Sequence, residues 1–254
     1  NETAKLPAFC NVFPEFNQAV IINPGTLALE KATALQGLYL PPIFGSSGHT
    51  YGANLTHSTP KLGLSLGGVR APSTTVVAAD GSAAADNTTA VHGGAGLRLS
   101  NVGIGAAYER NIDSGADTLG AGLTIGSGRG TNVALVVNDL SSSPYVVAGV
   151  GYLEKPYNLE ANLQLPSFSQ GLISTGSTYV LSLSAAVYVG RFGLSFFVDY
   201  PYTLGGTGTS VAFYDQPLTL SDGIALLFKL GRAINLSMRF DSADRLTLGV
   251  QAVF

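Results

Sequence analysis

Chemistry in this 254-residue chain would have to start from three histidines, one cysteine and a thin scatter of charged residues. His49, His57 and His92 lie far apart, and no spacing puts two of them on one strand face as a metal site requires. A nucleophilic or water-activating centre needs a histidine beside a hydroxyl, thiol or carboxylate partner. His92 instead shares its face with Gly94, Gly96 and Arg98, an inward face on which a site acting on membrane lipid would be misplaced. The pairs Gly120-Ala-Gly and Gly126-Ser-Gly lack the strand-loop-helix setting of a phosphate loop. Cys10 has no second cysteine to pair with, and Leu6-Pro-Ala-Phe-Cys10 is a poor match to a lipoprotein cleavage site. The expectation is no enzyme, no cofactor and no metal. A net charge of −3 without basic clusters gives no support for a nucleic-acid partner, and none is expected.

The charges are informative through their phase. Arg98, Glu109, Glu160, Asp199, Lys229, Arg239, Asp241 and Arg245 all alternate with apolar residues and share a face with small or polar ones. On a lipid-facing surface near the bilayer midplane each would cost roughly 2–4 kcal/mol. They are therefore expected to line a barrel lumen. Small neighbours on the same face, among them Gly63, Ser65 and Gly67, Gly103 and Gly105, and Gly120 and Gly122, leave volume that a plug, a lipid or water must fill.

The elements that position these residues are strands. Charged residues make up 11% of the chain, against roughly 25% in soluble domains. Mean hydropathy is positive, yet no apolar run nears the roughly 20 residues of a membrane helix. A closed barrel is the other way to satisfy backbone groups in lipid. Leu246, Leu248, Val250, Ala252 and Phe254 alternate with Arg245, Thr247, Gly249 and Gln251, and the segments 234–241, 223–230 and 192–200 repeat the pattern. Tight turns near Thr59-Pro60, Ser100-Asn101, Ser127 to Gly130, Lys155-Pro156, Gly190-Arg191 and Gly231-Arg232 alternate with longer polar links. That rhythm predicts an all-β, transmembrane antiparallel barrel of about 14 strands, with short periplasmic turns, long external loops and both ends periplasmic.

Aromatic residues are expected to form girdles at the two lipid boundaries, with Tyr108, Tyr145, Tyr200 and Phe240 at the external end and Tyr157, Phe192 and Phe254 at the other. Gly149 and Gly151 are candidates for a flat outer surface against a second copy. The glycines of the strand Leu62 to Val69 are the candidate kink for a lateral exit.

Residues 1–31 break the alternation, carry Pro7, Pro14 and Pro24, and form a separate unit ahead of the barrel at 32–254. Within them Ile22-Asn23-Pro24-Gly25-Thr26-Leu27-Ala28, followed by a strand near Ala32 to Leu40, resembles the Asn-Pro-Ala stretch before the first strand of the FadL family of hydrophobic-compound transporters, with Gly25 in place of the usual alanine. The resemblance implies an N-terminal plug with Asn23, Pro24 and Gly25 in its hatch, and a channel in the bacterial outer membrane that passes or holds hydrophobic or lipidic small molecules. This chain is shorter than typical members of that family, so long external loops have little room. A general porin for hydrophilic solutes is the alternative, although the 72–89 link offers only Asp80 and Asp86 as constriction charges. A structural, lipid-organising homo-oligomer is the third reading. The chain reads as a mature form, with no secretory apolar segment in it.

Overall fold

The computed structural model describes residues 12, 14, 19–41, 49–72, 76–77, 83–84, 87–168, 177–203, 221–231, 233–241 and 245–254. A helical turn, α1 (Ala19–Ile22), and a 3-10 turn (Pro24–Thr26) precede the strands. These are β1 (Ala32–Leu40), β2 (Thr50–Ser58), β3 (Leu62–Pro72), β4 (Val76–Val77), β5 (Ala83–Ala84), β6 (Asn87–Leu99), β7 (Val102–Asn111) and β8 (Asp117–Ile125). There follow β9 (Gly130–Asn138), β10 (Tyr145–Glu154), β11 (Tyr157–Gln164), β12 (Thr178–Val189), β13 (Phe192–Thr203), β14 (Ser221–Leu230), β15 (Ile234–Asp241) and β16 (Arg245–Val253). All except β4 and β5, which pair with each other, form one closed antiparallel barrel of fourteen strands, sealed where β1 meets β16.

Several of the tight turns fall where glycine or a left-handed residue lets the chain reverse. Gly190 and Gly231 have φ of 60° and 74°, and Ser100 adopts φ of 56° between β6 and β7. These turns define a short-turn rim, and the longer connections define the opposite, long-loop rim. Cys10, Asp80, Asp86 and Arg232, and the side chains of Asp241 and Arg245, lie outside what is described.

Burial follows the two-residue period of the strands with its chemistry inverted relative to a soluble barrel. Leu35, Leu55, Leu66, Leu97, Ile104, Leu135, Val150, Leu183, Phe196, Leu226 and Val250 are exposed, whereas Gln36, Asn54, Thr56, Thr124, Asn132, Asn158 and Glu160 are buried. In water, exposing such a band of large apolar side chains while burying amides and a carboxylate would oppose both hydrophobic and solvation terms. In lipid the apolar band meets hydrocarbon, the polar groups stay off it, and closure gives every barrel strand a neighbour on both sides. The barrel therefore spans a bilayer.

Outer-face aromatics mark its boundaries. Tyr157, Phe192 and Phe254 are exposed at the short-turn rim, where Phe192 packs on Phe228 at 4.9 Å between ring centroids. Tyr108 and Phe240 are exposed towards the other rim, and Tyr200 is half-buried there. Tyr39, His49 and Tyr51 add a stacked cluster at that rim, with centroids 5.3–6.0 Å apart and Tyr39 Oη 2.7 Å from His49 Nδ1. Tyr145 departs from the girdle expectation. It lies in phase with buried Val147 and Gly149, so its ring points into the barrel.

Two glycine expectations also change. Gly149 and Gly151 are buried on the inner face, and a Cβ at Gly149 would stand 2.0 Å from Asn162 Oδ1, so they offer no flat outer surface to a second copy. β3 pairs without a break with β2 and along its whole length with β6, so its glycines open no gap in the wall. The ladder is interrupted instead between β8 and β9. Pairing ends at Ala121–Val137 and resumes, displaced by one residue, where Leu140 N donates to Leu119 O at 2.8 Å. Asp139, at φ of 53°, is the extra residue of this bulge.

Candidate functional site

The inner wall of β3, β6, β7 and β8 is built to receive the chain that precedes β1. A Cβ at Gly63 would lie 2.3 Å from Leu27 O, at Gly96 2.6 Å from Pro24 O, and at Gly103 2.2 Å from Gly25 O. At Gly105 it would lie 2.2 Å from Pro24 O, and at Gly122 2.1 Å from Asn23 Oδ1. No real Cβ approaches other atoms so closely, so residues 23–27 lie backbone against backbone on a glycine-paved strip. The lumen here is narrow enough that side-chain volume on the wall has been exchanged for main chain.

Local chemistry fixes the segment in that seat. Asn23, extended at φ −153°, caps the 3-10 turn by accepting from Gly25 N at 3.0 Å, and Pro24 at the first position needs no amide partner. Asn23 Nδ2 donates to Thr124 Oγ1 of β8 at 3.0 Å, and Thr26 Oγ1 donates back to Asn23 O at 2.8 Å. Asn23 is fully buried. Replacing it by alanine removes a buried donor and acceptor together, so Asn23→Ala should weaken the seating by about 1–3 kcal/mol. Faster amide exchange in residues 19–30, with the barrel strands unchanged, is the expected observation; unchanged exchange there would show that the cap does not hold the segment.

The charged residues of the wall divide by what they touch. Arg98 donates to Leu29 O at 3.2 Å, and to Ser100 O and Ser127 O on the neighbouring turns. Glu160, 4% exposed, accepts from Val12 N at 2.9 Å and from Asn162 Nδ2 at 2.7 Å. Val12 packs on Ala134, so the N-terminal chain meets the wall on β9 and β11 as well as on β6 to β8. Arg239 lies 4.1 Å over the ring of Phe197, and Lys229 is half-buried on the face of Leu227. Glu109 and Asp199 face a cavity on the long-loop side of α1, six strands apart around the barrel.

That cavity has a volume of about 420 Å³. Val20, Ile21 and Ile22 of α1 form its floor, and Ile21 remains 48% exposed inside the barrel. Its walls carry His92, Glu109, Asn138, Tyr145, Gln164 and Asp199, and the β8–β9 bulge brings Asp139 to its edge. Hydrogen bonds from Ser142 Oγ at 2.5 Å, Ser143 N at 3.2 Å and Ser141 Oγ at 3.3 Å hold the Asp139 carboxyl below the usual carboxylate range. His92 Nε2 stands 2.5 Å from Asn54 Oδ1, and its Nδ1 is 3.9 Å from Glu109 Oε2. Sequence periodicity could place His92 and Glu109 on the inner face; only the β6–β7 register, which pairs them directly, makes them neighbours. No group of three histidine, cysteine or acidic side chains is arranged to hold a metal among the described residues.

Closed pairing, an apolar exterior and a polar interior define a transmembrane β-barrel, and the described part of the N-terminal chain lies against its inner wall. No protein-family model matches the chain, and no curated protein matches it. Among solved structures, it is similar to variants of the porin of Rhodopseudomonas blastica: a triple mutant at 9% identity and TM-score 0.45, and a second multiply substituted form at 11% and 0.46. Each comparison covers 88% of this chain and 99% of the porin. Similarity of this degree leaves the barrel to be read from its own geometry.

Proposed function

We propose that this protein is a channel of the bacterial outer membrane whose N-terminal segment acts as a plug, and that it passes or holds small hydrophobic or lipidic molecules. The glycine-paved seat carries this reading. Five wall positions without side chains, each in backbone contact with residues 23–27, fit a segment that is a fixed part of the lumen. Arg98 and Glu160 then serve as anchors at the two ends of that segment, and Asn23, Pro24 and Gly25 as its hatch. The cavity beyond it supports the choice of cargo. Its floor is made of three apolar side chains of α1, and its volume falls in the range of small-molecule pockets, roughly 300–1,000 Å³.

Single-channel conductance in a planar bilayer tests this directly, comparing the full chain with a variant lacking residues 1–30. The full chain should be closed or nearly so, and the truncated barrel should conduct steadily. A steady, salt-dependent current through the full chain would overturn the plug and make the barrel a general porin for hydrophilic solutes.

A further inference from the structure

The cavity's acceptors are arranged for a positively charged guest. Among the described residues lining it, the acids are Glu109, Asp139 and Asp199, and no lysine or arginine is present. His92 sharpens the preference. It is 4% exposed, and its Nε2 meets Asn54 Oδ1, an atom that only accepts, so Nε2 carries the ring proton. With the ring neutral, Nδ1 is an acceptor buried at the cavity wall with no hydrogen-bond partner among the described residues. Facing it at 3.9 Å is Glu109 Oε2, a second acceptor. Of the two, Glu109 is open to the cavity, its side chain being 39% exposed, and a compact ammonium with three N–H donors is complementary to it and to the other acceptors of the wall.

The remainder of the cavity is of a different character. Ile21 and Ile22 on the floor and Val147 on the wall offer apolar surface to whatever body the ammonium carries. Asp199 on the far wall pairs with no cation within 4.0 Å among the described residues, and Asp139 adds charge at the edge. We infer that the cavity binds small organic ammonium ions with an apolar body, the charged head set on Glu109 beside His92 and the body lying on α1. This deepens the cargo reading above and rests on it, since α1 must stay in the lumen to form the floor.

Isothermal titration calorimetry on the full chain in phosphatidylcholine nanodiscs, with empty nanodiscs as the blank, tests this using hexylammonium, 1-hexanol and hexanoate. Hexylammonium should bind about tenfold or more tightly than hexanol, as a charge-assisted hydrogen bond in a partly buried site implies, and hexanoate should be weakest. Glu109→Gln should bring hexylammonium down towards hexanol with the β-sheet circular dichroism unchanged, and Asp199→Asn should act in the same direction. Equal binding of hexylammonium and hexanol to the wild type would overturn the cation preference while leaving an apolar-floored cavity intact. Loss of binding for all three would overturn the inference together with the cargo reading, and full selectivity in both variants would overturn the assignment to these carboxylates.

Discussion

Gly103→Ala should release the N-terminal segment and leave the barrel standing. A Cβ at this position would lie 2.2 Å from Gly25 O, about 1 Å inside normal contact, while its nearest wall atom, Thr124 Cβ, is at an ordinary 3.9 Å. The clash is therefore between wall and segment only. The wall cannot yield, because Gly103 is paired across the ladder with both Arg98 and Thr124. The obstructing atom belongs to the backbone, so no rotamer change relieves it, and overpacking of this kind costs about 1–3 kcal/mol. A displacement of Gly25 also pulls Asn23 from Thr124, which adds the loss of a buried hydrogen bond. Together these shift the seated population by roughly five- to 150-fold or more. The expected result is a conducting channel resembling the barrel without residues 1–30, and rapid proteolysis of the released segment. Gly37→Ala is the control, since a Cβ there meets nothing within 4 Å. A Gly103→Ala protein that stays closed and protected would show that the glycine strip is not what holds the segment.

What the sequence made legible, and what it did not, follows from the range of the interactions involved. Strand alternation is local: Ile224, Leu226 and Phe228 against Ala225, Leu227 and Lys229 carry their own phase, and a glycine at 190 or 231 announces its turn without reference to distant residues. That is why the strand number and the succession of short and long connections could be read directly. The reading failed where both faces of a strand look alike. Tyr145-Val146-Val147 is apolar in either phase, and only the burial of Val147 and Gly149 turns Tyr145 inward. Gly149 and Gly151 are small enough for either face, and their inward position depends on Val12 and Asn162 filling the space beside Gly149.

Register was the second thing hidden. Wall glycines were readable as space, but which segment fills it depends on bringing Gly63, Gly96, Gly103, Gly105 and Gly122 from four strands onto one strip beneath residues 23–27. The His92–Glu109 pairing needs the β6–β7 register, and the Asn54 contact needs residues 38 apart in the chain to meet. The bulge at Asp139 reads in sequence as the start of a loop. The ladder resuming at Leu140 converts it into a device that brings Asp139 to the cavity and keeps Asn138 facing inward over Gly120.

The bilayer itself is tested by two outward leucines that are equally open but differ in depth. Leu66 in β3 is 67% exposed and Leu99, the last residue of β6, is 65% exposed. Leu99 adjoins the short-turn rim, whereas Leu66 lies four residues beyond the start of β3 at Leu62. With about 3.3 Å of rise per residue and strands tilted roughly 40°, that separation is on the order of 10 Å of depth in an apolar band about 25 Å tall. In water the two substitutions to arginine would be alike, because each replaces an exposed leucine on an outer strand face. In lipid, Leu66→Arg should cost about 2–4 kcal/mol and Leu99→Arg about 0–1 kcal/mol, since the guanidinium of the latter reaches the interface. Reversible unfolding in phospholipid vesicles, with the denaturant slope compared between variants, measures the difference. Equal costs would place the outer face in a uniform solvent and remove the membrane from the account; a gap of 2 kcal/mol or so assigns Leu66 to the hydrocarbon and Leu99 to its boundary.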